Sequence, residues 1–344
     1  AVGIPDNDLK QIPGTAFGAS AQQLMREIVG YVPVQPDGSV RTYVPANVPL
    51  AISVVDRDGR RIFGRHQNWL QFKAGEEVTC NGCHAHGSGT PHGHPEAPLS
   101  VYAGAPAGGL FPNSNPIMFA NYTETMAETI TRVIPTSIVP SPDLNYVDNW
   151  TDPMVRTPDL STSLSYGGLT TTSPANGACQ PWTSLCRSVI HYETHIHPLW
   201  SVDRGVNTCT ACHARVDNAG AAMVPAGQRQ IDLTDGLDPV VTDHFKAYRE
   251  LLFQDNEEEL VGTTLQDVML PTGPIDPVTG LPTLEPVIIN PPMSPAGALA
   301  SNTFFAPFDP GGVHDGFLTP EELRLLAEWL DIGAQYYNDP SVVP

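Results

Sequence analysis

Cys80-Asn81-Gly82-Cys83-His84 and Cys209-Thr210-Ala211-Cys212-His213 repeat one pattern in a chain of 344 residues. Two thiols separated by two residues, with a histidine directly after the second, form the spacing that covalent haem attachment requires. The thiols reach the two vinyl groups on one porphyrin edge, and the adjacent imidazole folds under the ring to ligate the iron. A zinc site would need two further soft ligands clustered at each motif. His86, His92 and His94 offer such ligands beside Cys80, but nothing does so beside Cys209. A dithiol redox pair needs no following histidine and favours a βαβ setting, which the sequence lacks. The pattern therefore points to two haem c groups, on Cys80, Cys83 and His84 and on Cys209, Cys212 and His213.

The second axial ligand of each iron is harder to read. In small cytochrome c folds a closing helix ends the domain and the distal ligand sits on the loop before it. Here "GGVHDGFLTPEELRLLAEWL" places His314 five residues ahead of Thr319, so His314 is the expected partner of His213. Met293 and Met269 are alternatives further back in Pro-rich loop. For the first motif, His195 in "HYETHIHPLW" is the leading candidate and His92 in "GTPHGH" the runner-up. An open coordination position and a stray zinc on His86, His92 and His94 also stand as readings. Cys179 and Cys186, in "CQPWTSLC", have no following histidine. They are expected to bridge each other in an oxidising compartment.

Acidic residues outnumber basic ones by 37 to 17, a formal charge of −20. That balance disfavours nucleic acid and anionic membrane surfaces as partners, because both reward clustered Lys and Arg. It suits a solvated acidic surface, with steering toward a basic redox partner as the functional alternative. No run of about 20 apolar residues exists, so no membrane span is expected. No basic and apolar leader opens the chain. An exported protein with its signal removed, or a piece of a longer precursor, is the expectation.

The 35 Pro and 30 Gly predict a mixed, loop-rich fold. Residues 1–64 read as a small β module. "SAQQLMREIVG" carries a weak helical stripe at Leu24, Ile28 and Val29, and Asp37-Gly38 and Asp58-Gly59 punctuate β-branched runs as hairpin turns. Residues 65–178 form a first haem region with one helix in "NYTETMAETITRVI". Residues 179–344 form a second haem region resembling a helical cytochrome c domain, with helices in "TDHFKAYRELLF" and "TPEELRLLAEWLDIG". The last has Thr319 as N-cap, Pro320 at the first helical position and Glu322 completing a capping box. Leu323, Leu326, Trp329 and Leu330 form its apolar stripe.

Five blocks in order, "GYVPVQPDGSVRTYVPANVPLAISVVDRDGRRI", "GEEVTCNGCH", "IHYETHIHPLWS", "CTACH" and "LRLLAEWLDIGAQYYND", resemble the C-terminal, haem-bearing part of hydrazine synthase alpha-subunit-like proteins. The resemblance runs from about Val29 to the end. It implies a β-propeller ahead of this region in larger members, and an unusual first haem ligated by a tyrosine four residues beyond the motif histidine. Here that position is Ser88, whose short, weakly acidic hydroxyl is a poor substitute for a phenolate. The resemblance implies a bis-His electron-transfer centre at the second haem, in keeping with His213 and His314. The expectation is an exported dihaem c-type cytochrome, periplasmic or extracellular, that transfers electrons to redox partner proteins or between like chains in an oligomer or filament. A haem enzyme acting on small nitrogen or oxygen species, and a subunit of a haem-wire assembly, are the competing readings.

Overall fold

The computed structural model describes residues 17–19, 25–64, 69–80 and 108–338. From residue 25 the chain runs extended rather than helical. Ile28 exchanges backbone hydrogen bonds with Ser188 at 3.0 and 2.8 Å, and Glu27 pairs with Arg187. A stripe of three apolar residues is too weak a helical signal to compete with that tertiary pairing. Both expected turns close: the Gln35 N–H donates to the Ser39 carbonyl, and that of Asp56 to the Arg60 carbonyl. The flanking β-branched runs nevertheless pair only through isolated bridges, such as Val55 with Arg61 and Leu50 with Leu70. Among the described residues of this module no regular strand forms. Val34, Val40, Tyr43, Val44 and Ile52 stay exposed along an open groove of about 2710 Å³.

Beyond Gly108 come β1 (Gly109–Leu110) and β2 (Phe119–Ala120), an antiparallel pair, and helix α1 (Met126–Val133). Thr125 and Glu128 make a reciprocal capping box at the start of α1. The first turn of the N-terminal module completes the cap. Asp37 accepts from the Met126 N–H and the Ser39 hydroxyl from the Ala127 N–H, both at 2.9 Å. Four N–H groups at a helix start lack partners within the helix, so this turn is fixed to α1 by the helix's own unmet demand. Phe111, Met118, Met126, Ile130 and Trp150 form a small core here. β3 (Leu144–Tyr146) and β4 (Thr162–Leu164) pair antiparallel beyond it. The expected Cys179–Cys186 disulfide is formed.

The main core lies in the C-terminal half. A π-helical turn, Tyr192–Ile196, runs into the short helix α2 (Pro198–Ser201), and α3 (Cys209–Cys212) follows. Then come α4 (Lys246–Leu252) and a series of short antiparallel pairs: β5 (Asp255–Asn256), β6 (Glu258–Val261), β7 (Thr264–Asp267), β8 (Met269–Leu270), β9 (Glu285–Pro286) and β10 (Ile288–Ile289). β6 pairs with β7, β8 with β9, and β5 with β10. Helix α5 (Asn302–Phe305) precedes the closing helix α6 (Pro320–Asp331). α6 has the capping box read from its sequence, and Gly333 follows at φ 119°. Leu325, Leu326, Trp329 and Leu330 bury against Tyr192, Ile196, Trp200, Tyr248 and Tyr336. Its polar side is buried as well: Glu322, Arg324 and Glu328 are at most 2% exposed. Glu328 accepts from the hydroxyls of Tyr31 and Tyr166 at 2.6 and 2.8 Å and from Arg324 at 2.8 Å. Arg324 also donates to the carbonyls of Pro142 and Leu164.

Candidate functional site

The second Cys-x-x-Cys-His motif is one turn of helix held on three sides. Its backbone coils so that the His213 N–H donates to the Cys209 carbonyl at 2.9 Å. Cys209 is half-buried against the main core and Cys212 is exposed, and neither takes part in a disulfide. Burial raises the Cys209 thiol pKa, with Arg204 acting the other way. The loop before the motif is anchored to the closing helix. Arg204 reaches Glu322 at 2.7 Å and the Leu199 carbonyl at 2.8 Å. Glu322 thus caps α6 and fixes the approach to Cys209 with one carboxylate.

After the motif the chain doubles back. The Ala226 N–H donates to the Cys212 carbonyl and the Leu233 N–H to the His213 carbonyl, each at 2.9 Å. Ile231 backs the His213 ring. Burial lowers the pKa of His213 most, the facing His314 adds to that, and the Ile231 backbone opposes both. A contact that favours the protonated ring is one with an acceptor, so the Ile231 carbonyl is the group involved. It falls short of a full hydrogen bond.

His213 and His314 face each other with ring centroids 6.0 Å apart and planes at 71°. His314 is held by its own N–H on the Pro307 carbonyl at 2.8 Å and by Phe308 and Phe317, each with its ring 5.3 Å away. Burial lowers its pKa also, so both rings favour the neutral form that binds metals. Two imidazoles sharing one metal at about 2 Å per bond, plus the radius of each ring, stand with centroids roughly 6 Å apart. The separation of the two rings matches that of two imidazoles on one metal. Among the described residues no group of three or more His, Cys, Asp or Glu is placed to hold a metal ion. The alternatives to His314 are placed elsewhere: Met293 is 2% exposed within the main core, and Met269 is exposed on β8.

Of the first motif only Cys80 lies within the described residues, exposed on the rim of the N-terminal groove. Cys83, His84, Ser88 and His92, with His66, His86 and His94, lie outside them. His195 is 6% exposed within the π-helical turn. Its Nδ1 accepts from the His191 N–H at 2.9 Å, and burial, then His191, pushes its pKa down to about 4. A neutral ring with Nδ1 accepting carries its proton on Nε2. His195 would have to shed that proton or break the His191 bond before offering a lone pair to iron. Arg204, the Ile231–Leu233 backing and the aromatic cage of His314 have no signature in the sequence. Only Glu322 was visible, and only as a cap.

Residues 6–85 match the family model of the hydrazine synthase alpha subunit middle domain. This stretch is similar to that domain. The match ends one residue past His84 and takes in the whole first motif; the likeness expected for the remainder of the chain has no counterpart in it. No curated protein and no solved structure matches the chain. Among the described residues no helix is long and apolar enough to cross a membrane.

Proposed function

We propose that this chain is an exported dihaem c-type cytochrome that passes electrons outside the cytoplasm. Cys80, Cys83 and His84 would hold one haem, and Cys209, Cys212, His213 and His314 the other. When bound, the group supplies an iron that takes up and releases one electron at a time. The observation that carries the reading is the facing pair His213 and His314, from two loops 101 residues apart in sequence (314 − 213), beside a complete attachment motif. His314 supplies a second imidazole, which keeps small molecules from the coordination position. Phe308 and Phe317 hold its ring in place, and Glu322 with Arg204 fixes the cysteines against the core. His195, with His92 as runner-up, would play the part of His314 at the first motif. Partners would be redox proteins or like chains in an assembly.

A second reading is a haem enzyme acting on small nitrogen or oxygen species, supported by the match to the hydrazine synthase middle domain. Intact mass spectrometry with visible and EPR spectra separates the readings. Two haem additions with two low-spin irons agree with electron transfer. Rapid, full-occupancy carbon monoxide binding to one reduced haem would show an open position and favour the enzyme. A bare polypeptide mass would overturn both.

A further inference from the structure

The segment behind His213 contains a charge that the axial pair does not account for. Asp232 is 1% exposed. It lies between the two residues whose backbones bracket His213: Ile231, which backs the ring, and Leu233, whose N–H binds the His213 carbonyl. Its Oδ1 accepts from the Thr234 N–H at 3.0 Å and the Thr234 hydroxyl at 2.6 Å, and its Oδ2 forms an ion pair with Lys246 at 2.8 Å. Burial opposes its ionisation, but the bonds from Lys246 and Thr234 outweigh it and hold its carboxyl below the usual range. Lys246, with its side chain 28% exposed, meets solvent that the carboxylate does not. Water screens the exposed cation more than the buried anion, so Lys246 does not fully cancel the carboxylate within the protein interior that also holds His213.

We infer that Asp232 is a positioning residue that also sets the redox balance of the His213 centre, its buried negative charge favouring the ferric over the ferrous iron. This rests on the dihaem reading. Ferric iron carries one more positive charge than ferrous, so a fixed anion nearby stabilises it and lowers the midpoint potential. Asp232→Asn separates charge from structure, because the amide oxygen still accepts the Thr234 N–H while the charge is gone. The full-length holo-protein would be titrated by spectroelectrochemistry, with EPR of the oxidised form as a check on ligation. One of the two midpoints should shift upward, with the other midpoint and the low-spin signals unchanged. Asp217→Asn, an exposed carboxylate four residues beyond His213, should move neither. If Asp232→Asn does not fold, Asp232→Ser removes the charge and keeps a hydroxyl acceptor, and the same upward shift is expected. Unmoved midpoints, both moving together, or an equal response in Asp217→Asn would overturn the inference while leaving the dihaem reading intact. Absence of haem from the unmodified protein would overturn that reading itself.

Discussion

Removing the carboxylate of Glu328 probes what joins the closing helix to the rest of the chain. Glu328 and Arg324 are an ion pair with both side chains 1% exposed, and Glu328 is also the acceptor for Tyr31 and Tyr166. Burial, then the Glu328 charge, raises both phenol pKa values well above normal, so both hydroxyls remain donors. Removing one partner of a buried pair costs about 3–5 kcal/mol, because the other charge stays in a medium that solvates it poorly. Arg324 keeps two carbonyl acceptors and stacks over the Tyr166 ring at 4.4 Å. Glu328→Gln, which retains one oxygen acceptor, therefore belongs at about 3 kcal/mol. Glu328→Ala strands both hydroxyls and opens a void, and belongs at about 5 kcal/mol. Native domains have roughly 5–15 kcal/mol in all, so either variant is a large perturbation. Urea unfolding followed by circular dichroism reads the loss as a fall in midpoint. Arg324→Met combined with Glu328→Met, which leaves no orphan charge, should cost less than Glu328→Ala alone. A Glu328→Gln variant within about 0.5 kcal/mol of the parent would mean that water reaches the pair, and the reasoning would fail.

His314→Ala should leave the haem on Cys209 and Cys212 but turn that iron high-spin; an unchanged low-spin EPR signal would exclude His314 as the ligand. Replacing Cys179 and Cys186 together by Ser should cost about 2 kcal/mol in urea, a small value because the bridge spans only seven positions. Glu250 is held protonated to about pH 8 by burial first and then by Asp255, against Arg215 and the Asp232 backbone, with the Asp232 charge adding to the rise. Its folded pKa lies above its unfolded value of about 4.5, so the native state binds more protons between the two. Stability should therefore fall by a few kcal/mol as pH rises from about 4.5 to 8. Glu250→Gln should flatten that slope in unfolding curves taken across this range, and an unaltered slope would assign it to other groups.

What the sequence made legible follows from how local each signal is. The helices at α1, α4 and α6 and the caps of Thr319 and Glu322 rest on contacts within one or two turns, and each was readable. The turns at Gly38 and Gly59 also closed as read, but the β module around them did not form regular strands. Its runs pair with distant partners, Tyr31 with Ser141 and Ile28 with Ser188, which no local pattern announces. The apolar stripe of α6 was legible, whereas burial of Glu322, Arg324 and Glu328 was not. Charged residues on a helix read as a solvated face unless their partners are known, and those partners lie up to 297 residues away. The approach of His213 to His314 was legible because motif and closing helix are each local signals. Asp232 and Arg204 could not, since an ordinary acid and an ordinary base carry no signature of burial.

The network on α6 has a consequence for how this chain comes into being. Tyr31 binds Glu328 and the Arg26 N–H binds Asn338 at 3.1 Å, so segments near residue 30 find their partners about 300 residues later in the chain. Contacts of such long separation are slow to form, because the closure entropy of the whole intervening loop precedes any reward. A polypeptide made from its N-terminus cannot complete its main core until α6 arrives. The second Cys-x-x-Cys-His motif thus passes its early life in open chain, with Cys209 accessible before the finished fold partly covers it. Under the dihaem reading, that order of synthesis leaves time for covalent loading of the second motif before α6 packs onto the main core.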